Sequence, residues 1–391
     1  MANKIKLGDI ATVITKGTTP TSLGFNFVED GINFVKIESI NEDGTFIPEK
    51  FAHINFECNE KLKRSQLQEN DVLFSIAGAI GRTAIVTKDI LPANTNQALA
   101  IIRIPNGKID YRFLLYALQS DSVIEQSNKQ KQGVAQLNLS LQNINDFEIP
   151  LFSGEEQKNI VVALSKVDAL ISDRSKQLEK LEQLVKSRFI EMFGNDDYPS
   201  EPLNNNVVEM FIGPFGSSLK NEYFVDESDG YCMVYEQKHA IQKTMNVPTR
   251  YVSKNKYEEL KRFTVFGGDI IVSCRGTIGE VYTVPFDAPM GIMHPSIMKI
   301  RLDTNKYNQK FFVFALEQYM NEHNAEAKGS GVKMAVSATV LGQSDFVIPP
   351  MEVQNQFAEF VEQTDKLKFE VKEALEKLEI LKKSLMQQYF G

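Results

Sequence analysis

DVLFSIAGAIGRTAIV at Asp71–Val86 and DIIVSCRGTIGEVYTV at Asp269–Val284 are one pattern written twice. Asp71, Ser75, Gly78, Ile80, Gly81 and Val86 recur as Asp269, Ser273, Gly276, Ile278, Gly279 and Val284, more identities than chance supplies. The register extends outward from this block. Upstream, Gly17, Ser22 and Leu23 match Gly213, Ser218 and Leu219; downstream, Ile102-Arg103-Ile104 matches Ile300-Arg301-Leu302, and the alignment passes through Gly133 and Gly331. DFEIPLFSGEEQ near the end of the first half answers DFVIPPMEVQNQ in the second, and the halves finish on Phe193-Gly194 and Phe390-Gly391. A period of about 197 residues, half of the 391-residue chain, makes the molecule a tandem duplication throughout.

Within each copy the first 150 or so residues read as short β-rich runs broken by Gly, Asn and Pro, followed by a helix near Tyr111–Gln119 or Lys310–Met320. This is a globular α+β pattern, assigned to residues 1–152 and 198–350. Residues 153–197 and 351–391 change to Leu, Glu, Lys and Gln with almost no Gly or Pro after the start, a long-helix composition. Ser153 followed by Glu156 supplies a capping box for the first long helix. Along it, Ile160, Leu164, Val167, Ile171, Arg174, Leu178, Leu181, Val185, Arg188 and Met192 alternate spacings of four and three, the seam of a coiled coil. In the second, Phe357, Phe360, Thr364, Leu367, Val371, Ala374, Leu378, Leu381 and Leu385 give the same alternation. The seams predict that the helices pair, as rods of about 50 Å. The alternative, each helix packing on its own domain, does not require a seam sustained over about five heptads.

With 42% apolar and 24% charged residues, the composition is that of a soluble chain with room for two or three domains. No apolar leader follows the start and no stretch approaches the roughly 20 apolar residues of a membrane span, so a cytoplasmic location is expected. Cys58, Cys232 and Cys274 are too scattered for a disulfide framework or zinc cluster and read as reduced packing residues. His53, His239, His294 and His323 lack metal-ligand spacing, so no metal is expected. A net charge of −8 argues against a non-specific nucleic-acid coat, whose affinity comes from neutralising phosphates. It leaves open a specific reader with basic residues gathered on one face.

The copies retain what looks structural and differ at expected loop tips. Gly78 and Gly81, like Gly276 and Gly279, suit turns needing positive φ or close backbone approach. Beside them, Ala77 and Arg82 stand where the second copy has Arg275 and Glu280. Two readers of two different DNA half-sites require such a contrast, because base edges are discriminated by individual side-chain hydrogen bonds. Drift in redundant loops would produce it too.

At this point the chain resembles, over essentially its whole length, the specificity subunits of type I restriction-modification enzymes. The resemblance rests on the duplicated order of domain then long helix, on GTTPTS at Gly17–Ser22 and GPFGSSLK at Gly213–Lys220, on the SIAGAIG and SCRGTIG blocks, and on the IPLFSGEEQKNIV and IPPMEVQNQF junctions. It implies two target-recognition domains separated by two long antiparallel coiled-coil helices, with pseudo-twofold symmetry. Each domain would read half of a bipartite double-stranded DNA target, and the helices would fix the unread spacer. It further implies docking of two modification (methyltransferase) subunits, which carry S-adenosylmethionine and methylate adenine, and an assembly able to recruit restriction subunits, up to two. This chain itself is expected to hold no cofactor and do no chemistry. It has no Asp/Asn-Pro-Pro-Tyr/Phe motif, no strand followed by G-x-G-x-x-G and no Walker A loop.

Candidate DNA contacts follow from chemistry: Lys and Arg for phosphate and guanine, Ser and Thr for phosphate, Gln for adenine. In the first domain they are Lys16, Thr18, Thr19 and Ser22, with Lys36 and Arg82, joined by a loop carrying Lys129, Lys131 and Gln132. In the second they are Ser217, Ser218 and Lys220, with Lys238, Arg275, Lys328 and Lys333. Asn94, Asn96 and Gln97 form an amide cluster that turn chemistry explains equally well. Three rivals stand beside this reading. A coiled-coil scaffold leaves the divergent domains unexplained, a self-sufficient nuclease or methyltransferase lacks its motifs, and a specificity module of a related methyltransferase-based system differs only in its genetic neighbourhood.

Overall fold

The computed structural model describes residues 3–105, 107–129, 138–195, 198–330 and 337–391, the side chains of 324–330 excepted. It divides into two compact units, residues 1–177 with 371–391, and residues 178–370. Each contains one of the expected α+β domains and a part of both long helices.

In the first unit an antiparallel sheet runs in the order Val13–Lys16, Leu99–Arg103, Val72–Ser75, Thr83–Ile85. Its central strands are apolar on both faces because each face has its own core. Val72, Phe74, Ala100 and Ile102 point towards helix Tyr111–Gln119 with Phe113 and Leu114, whereas Leu73, Leu99 and Ile101 join Val35, Val86 and Ile90. Period-two alternation thus divides one strand between two cores. The second core is closed by a three-stranded sheet, Ala52–Ile54, Ile32–Val35, Ala93–Thr95, whose last two strands are parallel.

The second unit repeats the plan. Val207–Ile212, Ile297–Leu302, Ile270–Ser273 and Val281–Thr283 form the antiparallel sheet, and Cys232–Tyr235 lies parallel to Gly291–Met293 in a five-stranded one. The Asp and Arg retained in both copies form an ion pair. Arg103 Nε and Nη2 each lie 2.7 Å from the carboxylate of buried Asp71, and Arg301 grips Asp269 at the same distances. Two parallel bonds to a buried carboxylate fix the angle between strands that one bond leaves free.

The long helices span Gly154–Phe193 and Met351–Phe390, 40 residues each. The capping box forms as expected: Ser153 N donates to Glu156 Oε2 at 2.8 Å and Glu156 N to Ser153 Oγ at 3.3 Å. Just inside each helix a buried glutamine ties it to its domain. Gln157 Oε1 accepts from Asp110 N at 2.9 Å and Gln354 Oε1 from Asn308 N at 2.8 Å. Gln157 therefore corresponds to Gln354, so the literal match of the two junction peptides slips by a pair of residues at the helix start.

The helices pair antiparallel within each unit. In the first, Ile160, Val161 and Leu164 share a core with Leu385, Met386, Tyr389 and Phe390, and Lys382 Nζ lies 2.7 Å from Asp168. In the second, Val185, Phe189 and Phe193 pack with Phe357, Phe360 and Val361. Each copy's helix consequently ends in the core of the other copy's domain, Phe390 against Phe113 and Phe193 against Phe311.

The first seam is as expected: Leu164, Val167, Ile171, Leu178, Leu181 and Val185 are all buried or half-buried. The second needs correction. Val371, Leu378 and Leu385 face inward, but Leu367 and Leu381 are 49% and 46% exposed. The inward stripe is Phe357, Val361, Thr364, Lys368, Val371, Leu375, Leu378, Lys382, Leu385 and Tyr389. A 4-3 and a 3-4 alternation have the same mean period, and the apolar one was not chosen. Lysine serves on the stripe because its alkyl stem packs while its ammonium reaches out, as Lys382 does to Asp168. Two smaller departures remain. Lys129 ends the helix Asp121–Lys129 and is not in a loop, and the later helix of the second domain runs on over Gln309–Ser330.

Candidate nucleic-acid interface

The parallel strands decide where each domain's polar end lies. In the first unit Val35 stands opposite Thr95, so Lys36 and Asn96 leave the sheet side by side. The turn at Gly17 crosses them: Gly17 N donates to Asn96 O at 3.1 Å, and any side chain at Gly17 would collide with the Thr95 carbonyl. Beyond it the Thr19 hydroxyl donates to Gln97 Oε1, and exposed Ser22 caps the turn by donating to Thr19 O at 2.7 Å. The hairpin between Ser75 and Arg82 completes the end. Gly78 and Gly81 adopt φ of 70° and 95°, the left-handed conformations expected of them. Ser75 Oγ holds the loop from inside, accepting from Arg82 N at 2.8 Å. Arg82 Nη1 then donates to the carbonyls of Ile40 at 2.9 Å and Ile37 at 3.3 Å, pinning the segment after Lys36. The structure thus gathers Thr18, Thr19, Lys36, Arg82 and Gln97 at one end, with Lys16 half-buried behind them. Lys36 keeps its ammonium 4.5 Å above the Phe27 ring.

The second unit builds the same end from different groups. Tyr235 pairs with Met293, Gly213 lies against the His294 carbonyl, and Ser273 Oγ accepts from Glu280 N at 3.0 Å inside a hairpin whose Gly276 and Gly279 again have φ of 68° and 87°. Where the first unit has Lys36 the second has Glu236. Its carboxylate accepts from Arg250 and lies 2.8 Å from Lys238 Nζ. Burial alone raises the Glu236 carboxyl, but the hydrogen bonds from Arg250 and Lys238 outweigh it and leave the group below its ordinary range. Arg250 also stacks 3.8 Å over the Phe224 ring. Burial pushes the imidazoles of His239 and His294 downward, favouring the neutral rings. Arg275 is exposed at the hairpin tip beside Gly276, and Gly276 faces the Gln237 side chain. Ser217 and Lys220 are exposed and Ser218 half-buried on the neighbouring turn.

Not every candidate is brought here. Lys131, Gln132 and Lys333 lie outside the described residues, as does the side chain of Lys328. Asn94 is buried and saturated, donating to Asn59 Oδ1 and the Leu62 carbonyl while accepting from Ser65 Oγ and Thr95 N, and Asn96 caps its own turn through Ala98 N. Turn chemistry thus accounts for Asn96, whereas Asn94, inside the strand Ala93–Thr95, is a buried tie to Asn59, Leu62 and Ser65. Sequence reasoning passed over Glu236, Arg250 and Phe215. Positions 36 and 236 are marked as equivalent by the pairing of strand ends in the structure, a signal that the sequence blocks aligned above do not carry. Among the described residues no group of three or more His, Cys, Asp or Glu side chains is placed to hold a metal ion, all three cysteines are buried and free, and no helix is long and apolar enough to cross a membrane.

A family model described as the type I restriction modification DNA specificity domain matches residues 2–183 and 226–381. The MjaX type I restriction enzyme specificity subunit of Methanocaldococcus jannaschii is 26% identical, over 97% of this chain and 91% of its own length. The Escherichia coli EcoBI specificity subunit is 35% identical over a shorter region, 39% of this chain and 31% of its own. Among solved structures, a chain from work on complex assembly and conformational transition of the type I R-M system superposes with a TM-score of 0.65, covering 99% of this chain and 97% of that one at 16% identity. The type I S subunit from M. genitalium gives 0.54 over 100% and 96%, also at 16% identity, a likeness of fold. With both copies matched by the family model, this chain belongs to the specificity subunits of type I restriction-modification enzymes, the non-catalytic DNA-recognition subunits of that family.

Proposed function

We propose that the two domains read the two halves of one bipartite DNA target and that the paired helices set the unread spacer and dock two methyltransferase subunits. The observation that carries the first part is the common frame with unlike chemistry. Asp71–Arg103 and Asp269–Arg301, the two serine-held hairpins and the two glycine crossings are retained. The groups at these ends differ in charge and reach: where the first has half-buried Lys36 the second has Glu236, buried and paired with Arg250 and Lys238, and where the first has Ala77 the second exposes Arg275. Scaffold retention with side-chain divergence is what reading two sequences requires, since lysine and arginine suit phosphate or guanine and an alanine suits neither.

The docking part is supported by leucines on the helices. Leu170 and Leu184 are 47% and 49% exposed, and their counterparts in the second helix are Leu367 and Leu381, equally exposed. Other exposed apolar residues there, Val162, Ile190, Phe369 and Ile380, have polar counterparts in the other copy. Each unit carries one leucine from each helix, Leu170 with Leu381 and Leu184 with Leu367. An apolar exposure kept twice fits two copies of one partner. S-adenosylmethionine and the chemistry reside on that partner in this reading, which flips the target adenine, and restriction subunits join the same assembly.

The test is to co-express the chain with the methyltransferase encoded beside it and map methylated adenines across the genome by long-read sequencing. A split motif with a fixed gap is expected. A continuous motif, or methylation without a motif from a stable complex, refutes the two-half reading.

A further inference from the structure

The turn Gly213–Ser218 carries an anomaly that the equivalent turn of the first domain lacks. Phe215 is 87% exposed, more than any other large apolar side chain described. Its counterpart is Thr19, which is tied to Gln97. An aromatic ring held almost wholly in water forgoes the stabilisation that burial gives, so its place is not explained by packing. Nor is the ring on a loose segment. Pro214 before it is buried, Gly213 N is bonded to Ile297 O at 2.9 Å, and the backbone carbonyl of Phe215 itself accepts from Ser218 N at 2.8 Å to close a 3₁₀ turn. Gly213 lies on the carbonyl of His294, within the same polar end that displays Arg275 and Ser217. The backbone is therefore fixed and the ring is presented, beside groups suited to phosphate and guanine.

We propose that Phe215 is a specificity-determining residue of the second domain, its ring packing on the methyl group of a thymine in the half-site that this domain reads. This rests on the DNA-reading function above and adds to it the base chemistry and the residue. The major groove offers one apolar feature, the thymine C5 methyl, and an apolar side chain is what recognises it. The ring needs little ordering on contact, because the turn that carries it is already formed and a phenylalanine has two side-chain torsions to fix.

The test uses the complete complex with its methyltransferase partner and duplexes carrying its mapped motif. Each thymine of the second half-site is replaced in turn by deoxyuridine, which removes the methyl and keeps the Watson–Crick and groove hydrogen bonds. Binding is read by fluorescence anisotropy. For the unaltered complex one such replacement weakens binding about 4-fold, the worth of one buried methyl. In a Phe215→Ala complex the thymine duplex is weakened and the same replacement has no further effect, while Phe215→Leu retains part of the thymine preference. Replacement penalties equal in the two complexes, or absent from every position, overturn the proposal. An unaltered complex that binds its motif no better than random DNA overturns instead the reading function on which the proposal stands. Phe215 is exposed, so each variant is expected to fold, which thermal melting checks.

Discussion

Truncating Phe390 to alanine perturbs a domain from the opposite end of the sequence. The residue is next to last in the chain, yet it is 2% exposed, in the core of the first unit, with its ring 5.3 Å from Phe113. Phe113 in turn packs edge-to-face on Phe152 at 5.8 Å. Phenylalanine-to-alanine changes in cores cost about 3–5 kcal/mol, the transfer of the ring plus the cavity left behind. Here the cavity lies at a helix terminus that can settle inward, which places the loss near the lower figure, about 3 kcal/mol. For a unit of roughly 200 residues this lowers Tm by on the order of 10 °C. Calorimetry measures the shift, and amide hydrogen exchange locates it. Protection should fall in Tyr111–Gln119 and in Ile160–Leu164, the elements that Phe390 touches. Phe193→Ala should do the same to Phe311, Phe314 and Phe357 in the second unit. If Phe390→Ala instead loosened the neighbourhood of Phe311 and left Phe113 protected, or did nothing, the exchange of helix ends between copies would be wrong.

Two further expectations follow from the same geometry. Replacing Leu170 and Leu381 together with Asp should leave the melting temperature within a few degrees of the parent, since both are half in water, but should cost one of two bound methyltransferase subunits, read as mass by light scattering; an intact complex would remove these leucines from the docking surface. Glu236, held below its ordinary range, contributes stability that is full above its unfolded value near pH 4.3 and is lost as pH falls through the lower folded value. Glu236→Gln should therefore flatten the acid limb of the second unit's stability curve below about pH 4.3, and an acid limb identical to the parent's would show that the Arg250 and Lys238 contacts add nothing.

The duplication, the domain-then-helix order, the glycine turns and the first seam were legible because each leaves a local mark, an identity, a period or a residue type that few others can replace. The second seam was misread for want of using one mark against another. Carrying the first seam across by the repeat places Lys368 and Lys382 on the inward stripe and Leu367 and Leu381 outside it, as the structure has them. Taken alone, the heptad pattern preferred leucines to lysines, a sound rule for seams that ignores how far a lysine stem can pack. Gln157 and Gln354 were invisible for a different reason. A glutamine opening a helix is ordinary, and only the pairing with Asp110 N and Asn308 N, far away in sequence, makes it a fastening.

The candidate site was harder to read because its meaning lies in differences, and a difference between copies has two sources that sequence does not separate. Ile101 and Lys299 illustrate one. They occupy the same place on the central strand, but Lys299 is 1% exposed, bonded at 2.8 Å to both Glu209 and the Thr264 carbonyl. Its divergence is internal, a charge accommodated by a partner that the first copy has no need of, and it faces no ligand. Ala77 and Arg275 illustrate the other: they stand at matching points of the two hairpins and Arg275 is exposed, whereas Glu236, where the first copy has Lys36, is buried and paired with Arg250 and Lys238 and so belongs with Lys299. Arg82 falls between them, a cation at the base of the hairpin whose guanidinium holds two backbone carbonyls of its own domain. A guanidinium tied to its own backbone in this way positions the surface around it, whereas Arg275 is exposed on the matching hairpin. Divergence identifies readers of sequence only after the side chains that answer to their own fold have been set aside.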